Sequence, residues 1–342
     1  FSDKVKDFVG RQHVFKKIGE FRDRFQNGYF IIIGEPGIGK SSFIAEFLRR
    51  SGCIIHFNVK TLGIVSAAQF IENVSQQLIQ DYQLPYKSIP MEAARDGVFL
   101  LKLLEEVSAK LTPTEKVIIA IDALDEVDLN LQMTGSNVLY LPATLPKGIY
   151  IVASRRSKRI PLITQSPYEE LNLDDYYAEN FQDIELYLKK SLARNKIREW
   201  ITKAGVSSDD YVELLATRSE NNFMYLQYVL PEIENGAYQN LSMQSLPKGL
   251  SEYYEDHWTR MKGVDESAWF DYKLKIIMAL TIVQEPVSLD HLATFSQVSQ
   301  RARIRNVLDD WSQFLHEENA ILDDGRVQKK YRIYHTSFHD FI

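Results

Sequence analysis

The stretch Gly34-Glu35-Pro36-Gly37-Ile38-Gly39-Lys40-Ser41 follows directly on the apolar run Tyr29-Phe30-Ile31-Ile32-Ile33. It has the G-x-x-x-x-G-K-S spacing of a phosphate-binding loop, and residues 41–50 after it have the periodicity of an amphipathic helix. Glycine adopts backbone conformations that strain other residues, so successive N–H groups of the loop can face a phosphate. The helix adds the positive end of its dipole. The stretch therefore predicts a P-loop NTPase with a parallel α/β sheet and flanking helices.

The residues of this loop indicate which cofactors it binds. Lys40 is expected to reach the β- and γ-phosphates and is a catalytic candidate, while the Ser41 hydroxyl is expected to ligate Mg²⁺. The other predicted phosphate contacts are Gly34, Gly37, Ile38, Gly39 and Ser42. The predicted cofactors are therefore ATP or ADP with Mg²⁺.

Composition and charge limit the class of protein. The 342 residues are 45% hydrophobic and 25% charged, which is typical of a globular protein of two or three domains. The net charge of −6 does not favour a general polyanion binder. A single cysteine, Cys53, excludes an internal disulfide and fits a reducing cytosol, so we expect a cytoplasmic protein. Apolar runs are too short for a membrane span, and no membrane partner is expected.

The pattern of elements predicts three domains. Residues 1–175 alternate helices with apolar strands, which is typical of a parallel sheet. Residues 176–249 have helical spacing without a clear strand, and 250–342 combine helices with a late β-ribbon that predicts a winged helix. The predicted strands of the first domain are 29–33, 53–59, 116–122, 148–154 and 169–173, and its helices are 13–26, 41–50, 67–82 and 91–110. The later helices are predicted at 180–204, 208–219, 222–234, 250–261, 267–283, 289–296 and 301–314, the ribbon at 320–322 and 331–334, and a last helix from 336.

A second strong motif is the apolar run that begins at Val117 and ends at Asp122. A buried strand that ends in Asp is the Walker B pattern, and it brings one carboxylate to the Mg²⁺ site beside Ser41. The alternative is a core strand that ends in an acidic helix cap. Ala123 follows, where many ATPases have Glu, so Asp125 is the first candidate for positioning the attacking water and Glu126 the second.

Two further segments place polar residues near the predicted site. The strand 148–154 ends in Ser154-Arg155-Arg156, and Ser154 or Arg155 could contact the γ-phosphate. Arg155 is favoured for this role, whereas Arg156 is more simply a solvated loop charge. Upstream of the first helix, the backbone of Val9, Gly10 and Arg11 could lie against adenine.

A histidine near the end of the chain is a third candidate. His335 directly precedes the last predicted helix, so a phosphate could bind at the same helix N-terminus. The plainer reading is a structural histidine. The chain begins at Phe1 and stops within a predicted helix, so we expect it to be a fragment of a longer protein.

With these motifs, the chain resembles the STAND class of signalling ATPases, in its NACHT branch. The segment Asp122-Ala123-Leu124-Asp125-Glu126 is similar to the NACHT Walker B, in which a small residue follows the Asp. Ser154-Arg155 is similar to the sensor after the fourth strand, and Phe8-Val9-Gly10-Arg11 to the motif that frames adenine. Residues 218–226 resemble a helical-domain segment, although Asn222 stands where Gly is usual and no Pro follows. Residues 331–341 resemble the end of the winged helix, where the family's His, here His335, contacts the β-phosphate of ADP.

The resemblance implies a molecular switch. Bound ADP would hold a closed, autoinhibited form, and exchange for ATP with Mg²⁺ would favour an open form that self-associates through the nucleotide-binding domain. The partners implied are a C-terminal sensor of repeats and an N-terminal effector, both outside this sequence. The resemblance also implies slow hydrolysis of ATP.

Two other classes remain open. An AAA+ initiator-like DNA-linked ATPase also joins a P-loop domain, a helical domain and a winged helix. Residues 251–342 hold 11 Lys/Arg against 15 Asp/Glu, a net of −4, so nucleic acid is an unfavoured partner, although Arg301, Arg303 and Arg305 form a local basic group. A metabolic P-loop kinase would need an acceptor site, which no motif indicates.

Overall fold

A computed structural model gives the fold. It describes residues 5, 7–236, 238, 246–263, 266–283, 285–321, 326–333 and 336–342. The chain divides into two compact units, one formed by Phe1–Val59 and Ile64–Ser191 and the other by Lys60–Gly63 and Leu192–Ile342. The three domain boundaries expected from the sequence remain predictions, and each unit is described by itself.

The first unit is built on a five-stranded parallel sheet, which confirms the predicted α/β class. Its strands are β1 (Gly28–Ile33), β2 (Ile54–Phe57), β3 (Val117–Asp122), β4 (Ile149–Arg155) and β5 (Tyr168–Asn172). Their order across the sheet is β2-β3-β4-β1-β5, and every neighbouring pair is parallel. Strand β4 therefore lies between the strand that precedes the phosphate loop and the strand that ends in Asp122.

Burial explains which strands are central. Every residue of β1, β3 and β4 is buried, as expected for apolar runs covered on both faces by helices. The edge strands β2 and β5 are only partly buried. Alternate residues of β1 serve the two faces, since Ile31 packs in one apolar core and Phe30 in the other.

The helices of the first unit lie close to their predicted positions, with two exceptions in length. Their bounds are Gln12–Arg24, Lys40–Ser51, Ala67–Asp81, Val98–Lys110 and Tyr177–Ser191. Helix Ala67–Asp81 begins with a capping box in which Ser66 and Gln69 satisfy each other's backbone N–H groups.

The predicted helix 91–110 is wrong in its first turns. Met91–Ala94 is a separate 3₁₀ turn, and the helix begins at Val98. Asp96 Oδ1 accepts a hydrogen bond from the Val98 N–H at 3.2 Å, an Asx-type contact just before the helix, whose N-cap residue is Gly97. Gly97 lies against the backbone of Tyr140, whose carbonyl oxygen would be 2.3 Å from any Cβ at position 97. The contact with Tyr140 requires a glycine where a continuous helix would place an ordinary side chain.

The predicted helix 180–204 is two helices. The first ends at Ser191 and the second is Asn195–Ala204, so the division between the compact units falls between them. The Ser191 hydroxyl donates to the Leu188 carbonyl at 2.6 Å. Such a bond competes with the backbone ladder of the last helical turn.

The second unit is mostly helical. Its described helices are Asn195–Ala204, Ser208–Ser219, Phe223–Glu234, Gly249–Lys262, Glu266–Ala268, Leu274–Ile282, Leu289–Ser296, Arg301–Asp310 and Thr336–Phe341, with a π-helical segment at Trp269–Lys273. Within the described ranges, none of the helices is long and apolar enough to cross a membrane.

A second sheet of three antiparallel strands lies in this unit, in the order β6-β8-β7. Its strands are β6 (Val287–Ser288), β7 (Leu315–Ile321) and β8 (Val327–Ile333). The ribbon of β7 and β8 is longer than predicted. The prediction is too short because β7 reads Leu-His-Glu-Glu-Asn-Ala-Ile, which has little apolar pattern. The assignment of this region as a winged helix stays a prediction.

Candidate nucleotide-binding site

The phosphate loop, residues 34–41, follows the carboxyl end of β1. Gly37 and Gly39 have φ angles of 84° and 98°, in the left-handed region that glycine adopts without strain. Gly34 is needed for space, since a Cβ there would lie 2.9 Å from Ile38 Cγ2. Gly37 and Gly39 therefore take the left-handed turns expected of glycine in this loop, whereas Gly34 does not.

The helix Lys40–Ser51 begins without the usual cap. Its N-cap residue is Gly39, which has no side chain, and its first turn reads Lys-Ser-Ser-Phe without an acidic residue. Side chains such as Ser or Asp normally satisfy the first N–H groups of a helix. This N-terminus, with Ser41 and Ser42 in its first turn, is suited to an anion supplied from outside the chain.

Lys40 curls over the loop. Its Nζ donates to the carbonyl oxygens of Gly34 at 2.6 Å and Glu35 at 3.0 Å. Burial lowers the pKa of Lys40, and the nearby carboxylates of Asp122 and Asp125 offset part of that effect. The charge of Lys40 therefore lies close to the end of β3.

Asp122 is buried at the end of β3, with 3% of its surface exposed. The Ser154 hydroxyl, on the neighbouring strand β4, donates to Asp122 Oδ1 at 2.5 Å and accepts from the Ala123 N–H at 2.9 Å. These two bonds fix the orientation of the carboxylate. Sequence reasoning weighed Ser154 only as a γ-phosphate contact and missed that it holds Asp122.

The turn after Asp122 has a strained backbone at Ala123 and is held by a hydrogen bond from Asn58. Ala123 has φ 54° and ψ 57°, a left-handed conformation that is uncommon for a residue with a Cβ. Asn58 is 2% exposed and donates its side-chain N–H to the Asp122 carbonyl at 2.9 Å. Such strain persists where surrounding contacts impose it, and it clusters at functional sites. Asn58 was not among the sequence candidates, although its position just after β2 places it at the same edge of the sheet.

Asp125 and Arg156 bind each other. Asp125 Oδ1 accepts from the Arg156 backbone N–H at 3.0 Å, and Oδ2 lies 3.1 Å from Arg156 Nε. Asp125 has 6% of its side chain exposed. Glu126 is half-buried in the 3₁₀ turn Leu124–Glu126. The contact occupies both oxygens of the first water-positioning candidate, and either assignment stays a prediction.

Arg155 ends β4 with its guanidinium directed to neighbouring protein groups. One nitrogen lies 2.8 Å from Glu170 Oε1, and the other donates to the carbonyl oxygens of Arg156 at 2.9 Å and Lys158 at 3.0 Å. Only 10% of the side chain is exposed. Its predicted contact with a γ-phosphate remains a prediction.

The segment before the first helix reaches the loop through Arg11. Val9 and Gly10 are half-buried, while Arg11 is 1% exposed and has a left-handed backbone with φ 61°. The Arg11 guanidinium donates to the Ile38 carbonyl oxygen within the phosphate loop. The predicted adenine contact of these backbone groups remains a prediction. The other distant candidate, His335, lies outside the described residues.

The donor set fits a magnesium ion of the P-loop kind. Ser41 supplies a hydroxyl and Asp122 a carboxylate, and Mg²⁺ takes its remaining ligands from water and phosphate oxygens. Within the described ranges, no group of three or more His, Cys, Asp or Glu side chains could hold a metal ion.

The sheet order and the loop at the end of β1 define the class of fold: the chain has the α/β fold of P-loop NTPases. Scans against family models and against curated proteins give no match.

Among solved structures, the chain is similar to the Holliday junction branch migration motor RuvB of Thermotoga maritima, with 15% identity and a TM-score of 0.35 over 95% of this chain and 94% of that one. Two point variants of that protein match over the same shares, at 15% identity and TM-score 0.35 and at 13% and 0.33. The fold assignment rests on the chain's own strands and loop, since these scores are low.

Proposed function

We propose that the phosphate loop binds ATP or ADP with Mg²⁺ and that the chain hydrolyses ATP slowly. The observation that carries the proposal is the helix N-terminus at Lys40. Its N-cap residue is Gly39, and both Gly39 and Gly37 before it have a positive φ. Such a terminus is a site for phosphate oxygens. Asp122, at the end of β3, is the carboxylate suited to the metal shell.

Different residues of the site serve nucleotide binding and ATP hydrolysis. Lys40 would exchange its carbonyl partners for phosphate oxygens, and Ser41 and Asp122 would hold the Mg²⁺. The metal ion would neutralise charge on the phosphates. Asp125 or Glu126 orients the attacking water. Because Arg156 binds both oxygens of Asp125, hydrolysis in this arrangement is expected to be slow.

Slow hydrolysis suits a switch better than a motor. We propose a regulatory ATPase of the STAND type in its NACHT branch, with domains at 1–175, 176–249 and 250–342. ADP would favour a closed form, with His335 as a phosphate contact, and ATP a form that self-associates. A ligand shifts such an equilibrium only by its differential affinity for the two forms.

The described contacts do not favour the DNA-linked alternative. Of the three arginines that kept it open, Arg301 pairs with Asp290 at 2.5 Å. Arg303 lies over the Tyr272 ring, with 4.8 Å between its guanidinium carbon and the ring centre. Two of the three cations are therefore engaged within their own unit.

The first experiment identifies the nucleotide. The purified chain is denatured, and the released nucleotide is identified and counted by chromatography. We expect ADP near one per chain and its loss in Lys40→Ala, with Lys17→Ala as a control on an exposed helical lysine paired with Glu20. Unchanged ADP affinity in Lys40→Ala would disprove the site.

A second experiment tests the switch. The size of the chain is measured by light scattering with ADP and with ATP plus Mg²⁺. Association with ATP plus Mg²⁺ but not with ADP supports a switch. Equal sizes with both nucleotides, together with rapid turnover, would favour an ATPase that does not act as a switch.

A further inference from the structure

Arg11 is a buried cation that joins two distant parts of the first unit. Its side chain is 2% exposed, and burial lowers its pKa to about 10, so it remains charged at neutral pH. A buried charge is costly unless polar groups surround it. The groups that bind Arg11 include one from the phosphate loop and two from the helix Tyr177–Ser191.

The contact with the phosphate loop is made to one carbonyl. A guanidinium nitrogen of Arg11 donates to the oxygen of Ile38. In a trans peptide the carbonyl and the following N–H point in opposite directions. Holding the Ile38 oxygen toward Arg11 therefore turns the Gly39 N–H away from Arg11. The proposed site needs the N–H groups of this loop to face the phosphate.

The contacts with the helix are made to two polar side chains. The second guanidinium nitrogen donates to Asn180 Oδ1, and Asn180 in turn donates to the Leu173 carbonyl at 2.6 Å. Asp183 Oδ2 accepts from the Arg11 backbone N–H at 3.1 Å and lies 3.7 Å from its Nε. Because a guanidinium is a rigid planar fork, its orientation at the helix fixes its orientation at the loop.

The neighbouring glycine shows how closely the two parts fit. A Cβ at Gly10 would lie 1.8 Å from Asp183 Oδ1. The Asp183 carboxylate therefore fills the space that a side chain at position 10 would need, and the φ of 70° at Gly10 is one that glycine adopts without strain.

We propose that Arg11, Asn180 and Asp183 form a positioning relay that couples the shape of the phosphate loop to the seating of helix Tyr177–Ser191. Phosphate binding stabilises the helix in the position where Asn180 and Asp183 contact Arg11. Movement of the helix away from that position weakens phosphate binding. By linkage the two effects are equal in size. The relay rests on the proposed nucleotide site. The part of the second unit at Leu192–Ile342 follows this helix directly in the chain. The relay is then the route by which occupancy of the loop reaches the end of the first unit.

Hydrogen exchange on the unaltered chain tests the coupling. We expect ADP to slow amide exchange in 177–191 as well as in the phosphate loop. Exchange in β1, β3 and β4 serves as the internal reference for a folded sheet. If ADP binds and protects the loop but leaves 177–191 unchanged, the relay is wrong while the nucleotide site stands. If ADP does not bind, the proposed function and the relay both fall.

Variants test the route. Asn180→Ala and Asp183→Asn should each weaken ADP binding by roughly 10-fold, within the usual range of coupling between sites. Arg11→Lys keeps the positive charge but removes the planar guanidinium that contacts both the loop and the helix. Adding Asn180→Ala to this variant should cause little further loss of ADP affinity, because the contact between loop and helix is already broken. The matched control is Lys190→Ala on the same helix, which removes an exposed pair with Asp7. Additive losses, or parent affinity in variants whose sheet amides remain protected, would overturn the relay.

Discussion

The hydroxyl oxygen of Ser154 lies 2.5 Å from Oδ1 of Asp122, across the pair of neighbouring strands β4 and β3. The same hydroxyl accepts from the Ala123 N–H at 2.9 Å. One side chain of β4 therefore sets both the carboxylate and the turn that follows it. Orientation of a metal-binding carboxylate by a second residue commonly governs how well the metal binds.

Replacing Ser154 by Ala should weaken binding of ATP with Mg²⁺ by roughly 10-fold, because the Asp122 carboxylate loses its fixed orientation. ADP without Mg²⁺ should be affected less. Titration calorimetry with and without Mg²⁺ measures both. Ser108→Ala is a suitable control, since its hydroxyl binds the Lys147 carbonyl before the start of β4. Equal losses with and without the metal would contradict this role.

Removing the Arg156 side chain should raise the single-turnover rate of ATP hydrolysis several-fold. The variant Arg156→Ala frees Asp125 Oδ2 from its ion pair at 3.1 Å, so the carboxylate can reach a water. Asp125→Asn should then abolish the gain, since a positioned acid–base group typically contributes about 100-fold or more. An unchanged rate in Arg156→Ala, with a large loss in Glu126→Gln, would assign the water to Glu126.

The second unit should lose stability as the pH falls from 6.5 toward 4. The pKa of His257 falls from 6.5 to about 4, mainly because the ring is buried and secondly because Arg260 is nearby. A hydrogen bond with the Asp310 backbone raises the pKa and offsets part of this effect. The unfolded chain therefore binds a proton in this window that the folded unit does not. The stability is present above pH 6.5 and is lost by pH 4, by up to about 3 kcal/mol.

Tryptophan fluorescence measures this effect in the second unit alone. All four tryptophans lie there: Trp200, Trp258, Trp269 and Trp311. His257→Gln removes the titrating ring beside Gln313, whose Nε2 lies 2.7 Å from His257 Nδ1. Denaturant titrations from pH 4 to 7 should show a shallower pH slope in this variant. Parallel slopes would assign the acid sensitivity to other groups.

Two glycine substitutions should change stability in opposite directions. Gly19 lies inside helix Gln12–Arg24 with nothing within 4 Å of an added Cβ, so Gly19→Ala should stabilise by about 0.5–1 kcal/mol. Gly97→Ala would place a Cβ 2.3 Å from the Tyr140 carbonyl oxygen and should destabilise by about 1–3 kcal/mol. Scanning calorimetry checks both, and destabilisation by Gly19→Ala would contradict the open surface.

Elements that carry a local pattern were predictable. The strand before the phosphate loop and the strand that ends in Asp122 are continuous apolar runs, and both lie where expected. The start of helix Val98–Lys110 was not, because it depends on the packing of Gly97 against Tyr140, 43 positions later in the chain. Strand β7 was largely missed, since a ribbon held by backbone pairing to β8 needs little apolar pattern.

The sequence by itself determined the phosphate loop, the strand that delivers Asp122 and the parallel α/β class, because each depends on neighbouring residues. The tertiary structure decided what surrounds those groups. Ser154 meets Asp122 only because β4 lies beside β3, and Arg11 meets Asp183 from 172 positions away. Hydrophobic periodicity tells a strand from a helix but carries no record of strand order or of distant polar partners. These contacts exist only once the sheet is assembled, when burial makes each polar group depend on the partner brought to it.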